Sequence, residues 1–318
     1  MLQDLLEQKK CFKLVLGAGN EDIKEVENLT RLYSLAGCPF FDVCAKPEVL
    51  DAAKKGLNLA GIKENRYLCV SVGIEGDPHI TKAKISQDIC IKCGKCKEIC
   101  PHEAISFNEK YEIKKERCLG CNQCAKNCPN NAITMESHLR DYKEVLPKLI
   151  SKGIDCIEFH AISNNIEDID EKWAQINSLF VGILCISVDR SEFGDKKLTQ
   201  QIKKMISIRK PYTTIIQADG IAMSGNNDEL STTLQAVATA QLFQNENLDA
   251  YIMMSGGTNI KSINLAKDCN VHPHCLAVGS YARKIVKNYL KIDDLFENKE
   301  KLKEAIEIAK NLVDTALW

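Results

Sequence analysis

CIKCGKCKEICPHEAI occupies residues 90–105, and CLGCNQCAKNCPNNAI occupies residues 118–133. The second stretch repeats the first, with its cysteines, one proline, one alanine and one isoleucine at equivalent places. Both stretches fit C-x2-C-x2-C-x3-C-P, the cysteine spacing of bacterial ferredoxins. The repeat therefore predicts a ferredoxin-like module.

The spacing also predicts which cysteines share a cluster. Three closely spaced thiolates wrap one 4Fe–4S cluster, and the fourth, placed before a proline that turns the chain, reaches the neighbouring cluster. The prediction is two 4Fe–4S clusters with exchanged ligands: Cys90, Cys93, Cys96 and Cys128 for cluster I, and Cys118, Cys121, Cys124 and Cys100 for cluster II. Zinc is the alternative metal, but one zinc ion needs only four ligands and leaves the matched quartets unexplained.

Composition narrows the class of protein. The chain has 318 residues, 16 cysteines and a net charge of −1. The small charge argues against a nucleic-acid-binding protein, which needs a basic excess to neutralise phosphates. No apolar run has the length of a membrane span, and the N-terminus shows no secretory signal. We therefore expect a cytoplasmic protein whose clustered cysteines bind metal, while the scattered cysteines are small buried hydrophobes.

Outside the module, short apolar runs alternate with amphipathic segments whose apolar residues recur every three or four positions. Eight such strand–helix units in about 260 residues match a (β/α)8 barrel, a TIM-like fold of the α/β class. An open doubly wound sheet is the alternative, because alternation does not prove closure. Ser231 is predicted to cap the helix after the sixth strand. The predicted strands are Phe12–Leu16, Phe40–Cys44, Tyr67–Val72, Cys156–His160, Gly182–Val188, Tyr212–Gln217, Ala250–Ser255 and Leu276–Gly279.

The cysteine module interrupts this alternation after the third strand. The predicted organisation is barrel over residues 1–84, a ferredoxin-like insert over 85–134, and the rest of the barrel with a C-terminal helix over 135–318. The turn Asp77–Pro78–His79 is predicted to mark the exit from the barrel. Because βα loops lie at the C-terminal face of a barrel, the clusters are expected at the barrel mouth.

Two glycine-containing loops follow the last two predicted strands. Gly256 and Gly257 lie in the first loop, and Gly279, Ser280 and Arg283 lie in the second. Loops at these places form the usual phosphate site of a barrel, so FMN or another phosphate-bearing ligand is one hypothesis. Glycines that only permit tight turns are the alternative. No lysine stands clearly at a strand end to serve a flavin.

Polar side chains also stand at the predicted strand ends. Their spacing in the sequence does not identify a catalytic residue, because a general acid or base is recognised by its geometry. Loop capping is their alternative role. The segment 269–275 offers two cysteines and two histidines, and we expect it to be a connecting loop on the face opposite the clusters. The strand-end set comprises Asp42, Glu158, His160, Asp189, Arg190, Gln217 and Asp219.

Beyond the cysteine runs, several stretches in a fixed order resemble the light-dependent period (LdpA) family, iron–sulfur proteins of the cyanobacterial circadian clock. The resemblance runs over nearly the whole chain. It is carried by FKLVLGAG at 12–19, LAGCPFFDVCAKPEVLDAA at 35–53, VSVGIEGDPH at 70–79, QADGIAMSG at 217–225, SGGTN at 255–259 and GSYAR at 279–283.

The resemblance implies a redox sensor. Such proteins relay the redox state of photosynthetic electron transport and of the quinone pool to the clock, through clock-associated partners that include histidine kinases. It assigns no catalytic residue to the barrel, so a sensing role is favoured over an enzyme. Two alternatives remain: a ferredoxin-linked oxidoreductase with a substrate or flavin in the barrel mouth, and a simple electron carrier.

Overall fold

The computed structural model describes residues 1–62, 65–75, 77, 80–220 and 229–316. The strands within these residues are β1 (Cys11–Val15), β2 (Phe40–Cys44), β3 (Tyr67–Gly73), β4 (Thr81–Ile85), β5 (Ile105–Asn108), β6 (Lys110–Ile113), β7 (Ile133–Ser137), β8 (Cys156–His160), β9 (Ile183–Val188), β10 (Thr214–Asp219), β11 (Tyr251–Ser255) and β12 (Cys275–Val278).

The helices of the same residues are α1 (Leu2–Glu7), α2 (Ile23–Leu35), α3 (Pro47–Ala60), α4 (Lys95–Ile99), α5 (Gln123–Lys126), α6 (Tyr142–Ser151), α7 (Ile166–Leu179), α8 (Asp195–Ser207), α9 (Glu229–Asn245), α10 (Ser262–Asp268), α11 (Ser280–Val286) and α12 (Lys299–Val313). None of the described helices is both long and apolar enough to cross a lipid bilayer.

Eight of the described strands pair in parallel and close into a barrel in the order β1, β12, β11, β10, β9, β8, β3, β2. This confirms the predicted (β/α)8 fold and excludes the open sheet. The predicted strands lie within two residues of the observed ones at nearly every end, because each is a short β-rich run bounded by polar or glycine residues. The strands are almost wholly buried on both faces, as expected for a parallel sheet covered by helices.

Local side-chain chemistry begins several of the surrounding helices. The carboxylate of Asp22 accepts hydrogen bonds from two backbone N–H groups at the start of α2. The carboxylate of Asp141 accepts one such hydrogen bond at the start of α6. Pro47 opens α3, where its missing N–H costs no hydrogen bond. The predicted cap at Ser231 is wrong, because α9 already includes Glu229 and Ser231 therefore lies inside the helix.

The floor of the barrel is apolar. Helix α1 inserts Leu2 and Leu6 into a buried cluster that lies under the strands. Alternate residues of a strand point to the same side, so this layer collects one residue from each of several strands. It contains five cysteines, which agrees with their predicted role as small buried hydrophobes: Cys11, Cys69, Cys156, Cys185 and Cys275.

The segment between β3 and α6 forms the ferredoxin-like insert. It contains two antiparallel pairs, β4 with β7 and β5 with β6, and the short helices α4 and α5. It leaves and re-enters the barrel at a βα connection, as predicted. Of the predicted exit turn, Asp77 is described, whereas Pro78 and His79 lie outside the described residues.

Candidate functional site

The two cysteine runs fold with nearly the same backbone path. Each run has positive φ angles at three equivalent positions, and such angles favour glycine or asparagine. The pairs are Lys92 (54°) with Gly120 (70°), Gly94 (84°) with Asn122 (62°), and Glu103 (52°) with Asn131 (50°). The repeat in the sequence is therefore also a repeat in three dimensions.

The structure gathers the eight cysteines of the runs around two similar small cavities. One cavity is lined by Cys90, Cys93, Cys96 and Cys128, and the other by Cys118, Cys121, Cys124 and Cys100. Each set combines three cysteines of one run with the last cysteine of the other run. We call these sets the outer quartet and the inner quartet, respectively.

Backbone N–H groups point at the sulfur atoms. The N–H of Ala104 donates to Cys100 Sγ at 3.4 Å, and the N–H of Ala132 donates to Cys128 Sγ at 3.2 Å. The repeated alanine thus serves the last cysteine of each run. Hydrogen bonds to sulfur favour the thiolate over the thiol, which is the form that binds metal.

Burial opposes ionisation of two thiols in the inner quartet. Burial, together with the neighbouring cysteines Cys118, Cys121 and Cys100, raises the pKa of Cys124 to about 12. Burial also raises the pKa of Cys121, so a bound cation would favour the thiolate form of both side chains. The sulfur set, the apolar walls and the N–H donors together fit a cubane iron–sulfur cluster in each cavity.

The two quartets differ in their surroundings. In the outer quartet, Cys93 is exposed, and the neighbouring Ile91 side chain has a relative exposure of 61%. The inner quartet includes buried Cys118 and Cys124 and lies on the side that contacts the barrel. The outer quartet is therefore accessible to a partner, and the inner one faces the rest of the chain.

One lysine connects the inner quartet to the barrel. The buried ammonium of Lys82, in β4, donates to the carbonyl oxygen of Cys118 at 2.7 Å and to that of Gly19 at 2.5 Å. It also lies 3.7 Å from the Glu21 carboxylate. Burial lowers the pKa of Lys82, although Glu21 opposes this effect. We call these contacts the Lys82 latch.

Glu21, in the loop after β1, gathers further contacts at the same place. Its carboxylate pairs with Lys46 at 2.5 Å and with Arg140 at 2.9 Å, and its backbone N–H donates to the Glu116 carbonyl at 2.8 Å. Arg140 in turn donates to the Ala45 carbonyl at 2.9 Å. The loops after β1 and β2 are thereby tied to both ends of the insert.

A second polar network fills the upper part of the barrel. The buried Lys13 ammonium, in β1, forms an ion pair with Glu158 and donates to Gln217 Oε1 at 3.2 Å. It lies 4.0 Å from the Asp42 carboxylate, which accepts a hydrogen bond from Ser71 at 2.6 Å. The sequence gives no signal that Lys13 is a buried cation, because this residue stands alone within an apolar run.

The network continues through His160 towards the insert. One ring nitrogen of His160 lies 2.8 Å from Glu158 and the other lies 3.0 Å from Asp77. Gln217 donates to Glu158 at 2.9 Å, and Ser187 donates to Asp219. Five members of the predicted strand-end set therefore come together as one largely buried network of charged and polar groups: Asp42, Glu158, His160, Gln217 and Asp219.

The pKa shifts follow from these pairings. Burial alone would lower the pKa of Lys13, but the carboxylates of Asp42 and Glu158 raise it well above the usual value. Burial would likewise lower the pKa of His160, yet Asp77 and Glu158 raise it well above its usual range. Burial raises the pKa of Asp219 to about 6, assisted by Glu158. Lys13 and His160 therefore supply fixed positive charge inside the barrel.

Two predicted strand-end residues stay outside this network. Arg190 pairs with Asp195 at 2.7 Å on the surface, and Asp189 accepts hydrogen bonds from Ser191. The predicted connecting loop 269–275 contributes to strand packing, since His274 Nδ1 accepts the Ile252 N–H at 3.0 Å. Capping and packing explain these residues, as the alternative interpretation expected.

The residues predicted as a phosphate site divide into two groups. Gly257, Ser280 and Arg283 line a cleft of about 720 Å³ between the barrel and the insert. Arg283 donates to the Val15 carbonyl at 2.7 Å, so it also fixes the end of β1. Gly256 and Gly279 are not among the residues that line the cleft. Gly256 serves the loop geometry, since it has φ +62° and a Cβ there would lie 2.7 Å from the Gly220 carbonyl oxygen.

Comparison with known proteins gives two family matches. Residues 148–315 match the Light dependent period A C-terminal domain, and residues 83–135 match a 4Fe-4S dicluster domain. A curated relative, Light dependent period A from Synechococcus elongatus (strain ATCC 33912 / PCC 7942 / FACHB-805), is 27% identical over 353 residues, which cover 99% of this chain and 91% of the relative. The insert is therefore an iron–sulfur domain.

Solved structures resemble the chain more distantly. A truncated 3-deoxy-D-arabino-heptulosonate 7-phosphate synthase from Thermotoga maritima is 10% identical with a TM-score of 0.48, over 94% of this chain and 84% of that chain. The tryptophan synthase alpha chain from Legionella pneumophila subsp. pneumophila is 9% identical with a TM-score of 0.46, over 99% and 96%. Similarity of this degree carries no functional information, and the barrel assignment stands on the strand pairing.

The barrel network predicts a specific cost for removing its central cation. We expect Lys13→Met to lower the free energy of unfolding by about 3–5 kcal/mol, because the buried carboxylates of Glu158 and Asp42 would lose the ammonium that lies beside both. Urea unfolding of Lys13→Met, of Glu158→Gln and of the double variant measures this coupling. The double variant should be less destabilised than the sum of the two single ones. An unchanged unfolding midpoint for Lys13→Met would contradict the network.

Proposed function

The chain belongs to the light dependent period A family, and from this membership we propose that it is a redox sensor that links photosynthetic electron transport to the circadian clock. Its insert would hold two 4Fe–4S clusters, one in the outer and one in the inner quartet. The observation that carries the proposal is the pair of cavities, each lined by four cysteines drawn from both runs. A single metal ion would need only one such set.

The different exposure of the quartets supports a direction for electron transfer. Cys93 of the outer quartet is exposed, so electrons would enter or leave there. The inner quartet contacts the barrel through Cys118, whose carbonyl accepts from Lys82. Clusters held in neighbouring cavities supply one-electron redox chemistry. The chain's own contribution is to expose one quartet and to tie the other to the barrel.

The contacts of the Lys82 latch support a mechanism by which the redox state of the inner quartet changes the conformation of the loop after β1. Lys82 is a buried cation whose partners are the carbonyls of Cys118 and Gly19. Charges act strongly on each other where water is excluded. A change in charge at the inner quartet would therefore change the attraction on Lys82, and the loop after β1 would respond. Redox switches of this kind are local charge changes that bias a second arrangement.

The partners in this proposal are clock-associated proteins, including histidine kinases, with the quinone pool as the source of the redox signal. We place the protein in the cytoplasm. No two cysteines form a disulfide in the described residues, and cysteines stay reduced or bind metal in reducing compartments. The loops around Glu21, which the latch holds, are the surface whose arrangement such partners would recognise.

The exchange of ligands between runs can be tested by removing one cysteine from each quartet. We expect Cys100→Ala to disturb only the cluster of Cys118, and Cys128→Ala only the cluster of Cys90, because each last cysteine serves the opposite run. After anaerobic reconstitution, iron content should fall from about eight per chain towards about four in either variant. The reduced electron paramagnetic resonance spectra of the two variants should be complementary.

Cys269→Ala, a change outside both quartets, is the matched control and should keep the full iron content. Full iron content and unchanged spectra in both Cys100→Ala and Cys128→Ala would contradict the assignment. Loss of the same signal in both variants would contradict the exchange of ligands.

The sensing role can be tested through the latch. Hydrogen exchange of residues 16–22 should differ between the oxidised and the reduced protein, and Lys82→Met should abolish that difference while iron content is retained. Lys84→Met is the matched control, since Lys84 lies on the same strand but pairs with Glu136 on the surface at 2.7 Å. Equal exchange in both redox states of the unmodified chain would count against sensing.

A further inference from the structure

The cleft between the barrel and the insert has the features of a ligand site that the proposed function does not use. Its volume of about 720 Å³ falls within the range of small-molecule sites, about 300–1,000 Å³. One wall comes from the loops after β11 and β12, and the opposite wall comes from the insert next to the inner quartet. We propose that this cleft binds an organic phosphate of mononucleotide size, with the phosphate at the barrel loops and a planar ring against the insert.

The barrel end of the cleft suits a phosphate group. Gly257 lies in the loop after β11, and Ser280 begins α11 directly after the loop that follows β12. These are the two places that carry the usual phosphate site of a barrel, and both residues line the cleft. Four carboxylates also line the cleft, so the cations exceed them by two. The lining cations are Lys24, Arg117, Arg283, Lys284, Lys287 and Lys291.

One of the four carboxylates already has two partners. Glu103 pairs with Lys287 at 2.9 Å and with Lys291 at 3.0 Å, and these hydrogen bonds lower its pKa to about 2. Glu103 therefore stays ionised and tethers the insert to the segment after α11.

The insert end of the cleft suits a flat, partly apolar group. Leu119 and Pro101, which flank inner-quartet cysteines, form its wall together with Tyr281 and Leu290 from the barrel side. The His102 imidazole lines both the cleft and the inner-quartet cavity. Its Nε2 atom is buried and has no hydrogen-bond partner among the described residues. A ring with a polar edge would satisfy that atom.

This arrangement would place a ligand ring next to the inner quartet, because His102 and Leu119 line both the cleft and the inner-quartet cavity. The inference rests on the proposed function only in assigning a cluster to that quartet. Phosphate binding itself depends on the barrel loops and not on redox sensing. The two proposals can therefore fail separately.

Isothermal titration of the anaerobically reconstituted chain with inorganic phosphate, AMP and FMN tests the site. We expect at least one of the two mononucleotides to bind more tightly than inorganic phosphate, because only they reach the insert wall. Ser280→Glu should weaken that binding by about tenfold or more, since it places a negative charge at the phosphate end. Ser178→Glu, on exposed helix α7 away from the cleft, is the matched control and should bind as the unmodified chain does.

A second variant separates the two ends of the ligand. His102→Leu should weaken mononucleotide binding but leave the affinity for inorganic phosphate unchanged. If Ser280→Glu fails to incorporate iron, Lys284→Glu adds a carboxylate at the same end and carries the test. Absence of binding by both mononucleotides, or equal binding in the Ser280→Glu and Ser178→Glu variants, would overturn the inference. The redox-dependent exchange of residues 16–22 should persist in Ser280→Glu without added nucleotide. If the unmodified chain lacks that difference but still binds a mononucleotide, the sensing proposal fails and the ligand site stands.

Discussion

The structure depends on the sharing of cysteines between the two runs. Each quartet takes its last sulfur from the other run, so neither cavity is complete unless both runs fold against each other. This requirement explains why β4 pairs with β7 across the whole insert and why the repeated alanines bond the repeated last cysteines. An insert built in this way is a compact unit that a single βα connection of a barrel can carry.

Charged groups and backbone carbonyls join the insert to the barrel in the described residues, whereas each part has a separate apolar cluster of its own. Lys82, Glu21 and Arg140 join the two parts through charged groups and backbone carbonyls. The energy of an apolar contact does not depend on nearby charge, whereas the energy of a buried ionic contact changes whenever a nearby charge changes. Under the proposed function, this interface would be the part of the molecule that responds to redox state, while the buried Lys13 network and the apolar floor stabilise the barrel.

Much of this arrangement could be predicted from the sequence, because it is encoded in local patterns. The C-x2-C-x2-C-x3-C-P runs predicted the two groups of cysteines that the structure brings together, and β-rich runs predicted the barrel strands. Residues whose roles depend on distant partners could not be predicted. Lys13 and Lys82 stand in strands without any local signal, and their partners lie far away in the chain. Ser231 is a case where a local pattern gave a wrong prediction. The sequence indicated a helix cap there, but α9 begins earlier in the chain and includes Ser231.

The most direct test of the account is the electron paramagnetic resonance spectrum of the fully reduced protein. Two 4Fe–4S clusters in neighbouring cavities that share cysteine runs should each contribute one unpaired spin, and the two spins should broaden and split each other's signals. The account predicts about two spins per chain with that magnetic interaction. A spectrum of a single isolated cluster, or of two clusters without mutual coupling, would contradict it.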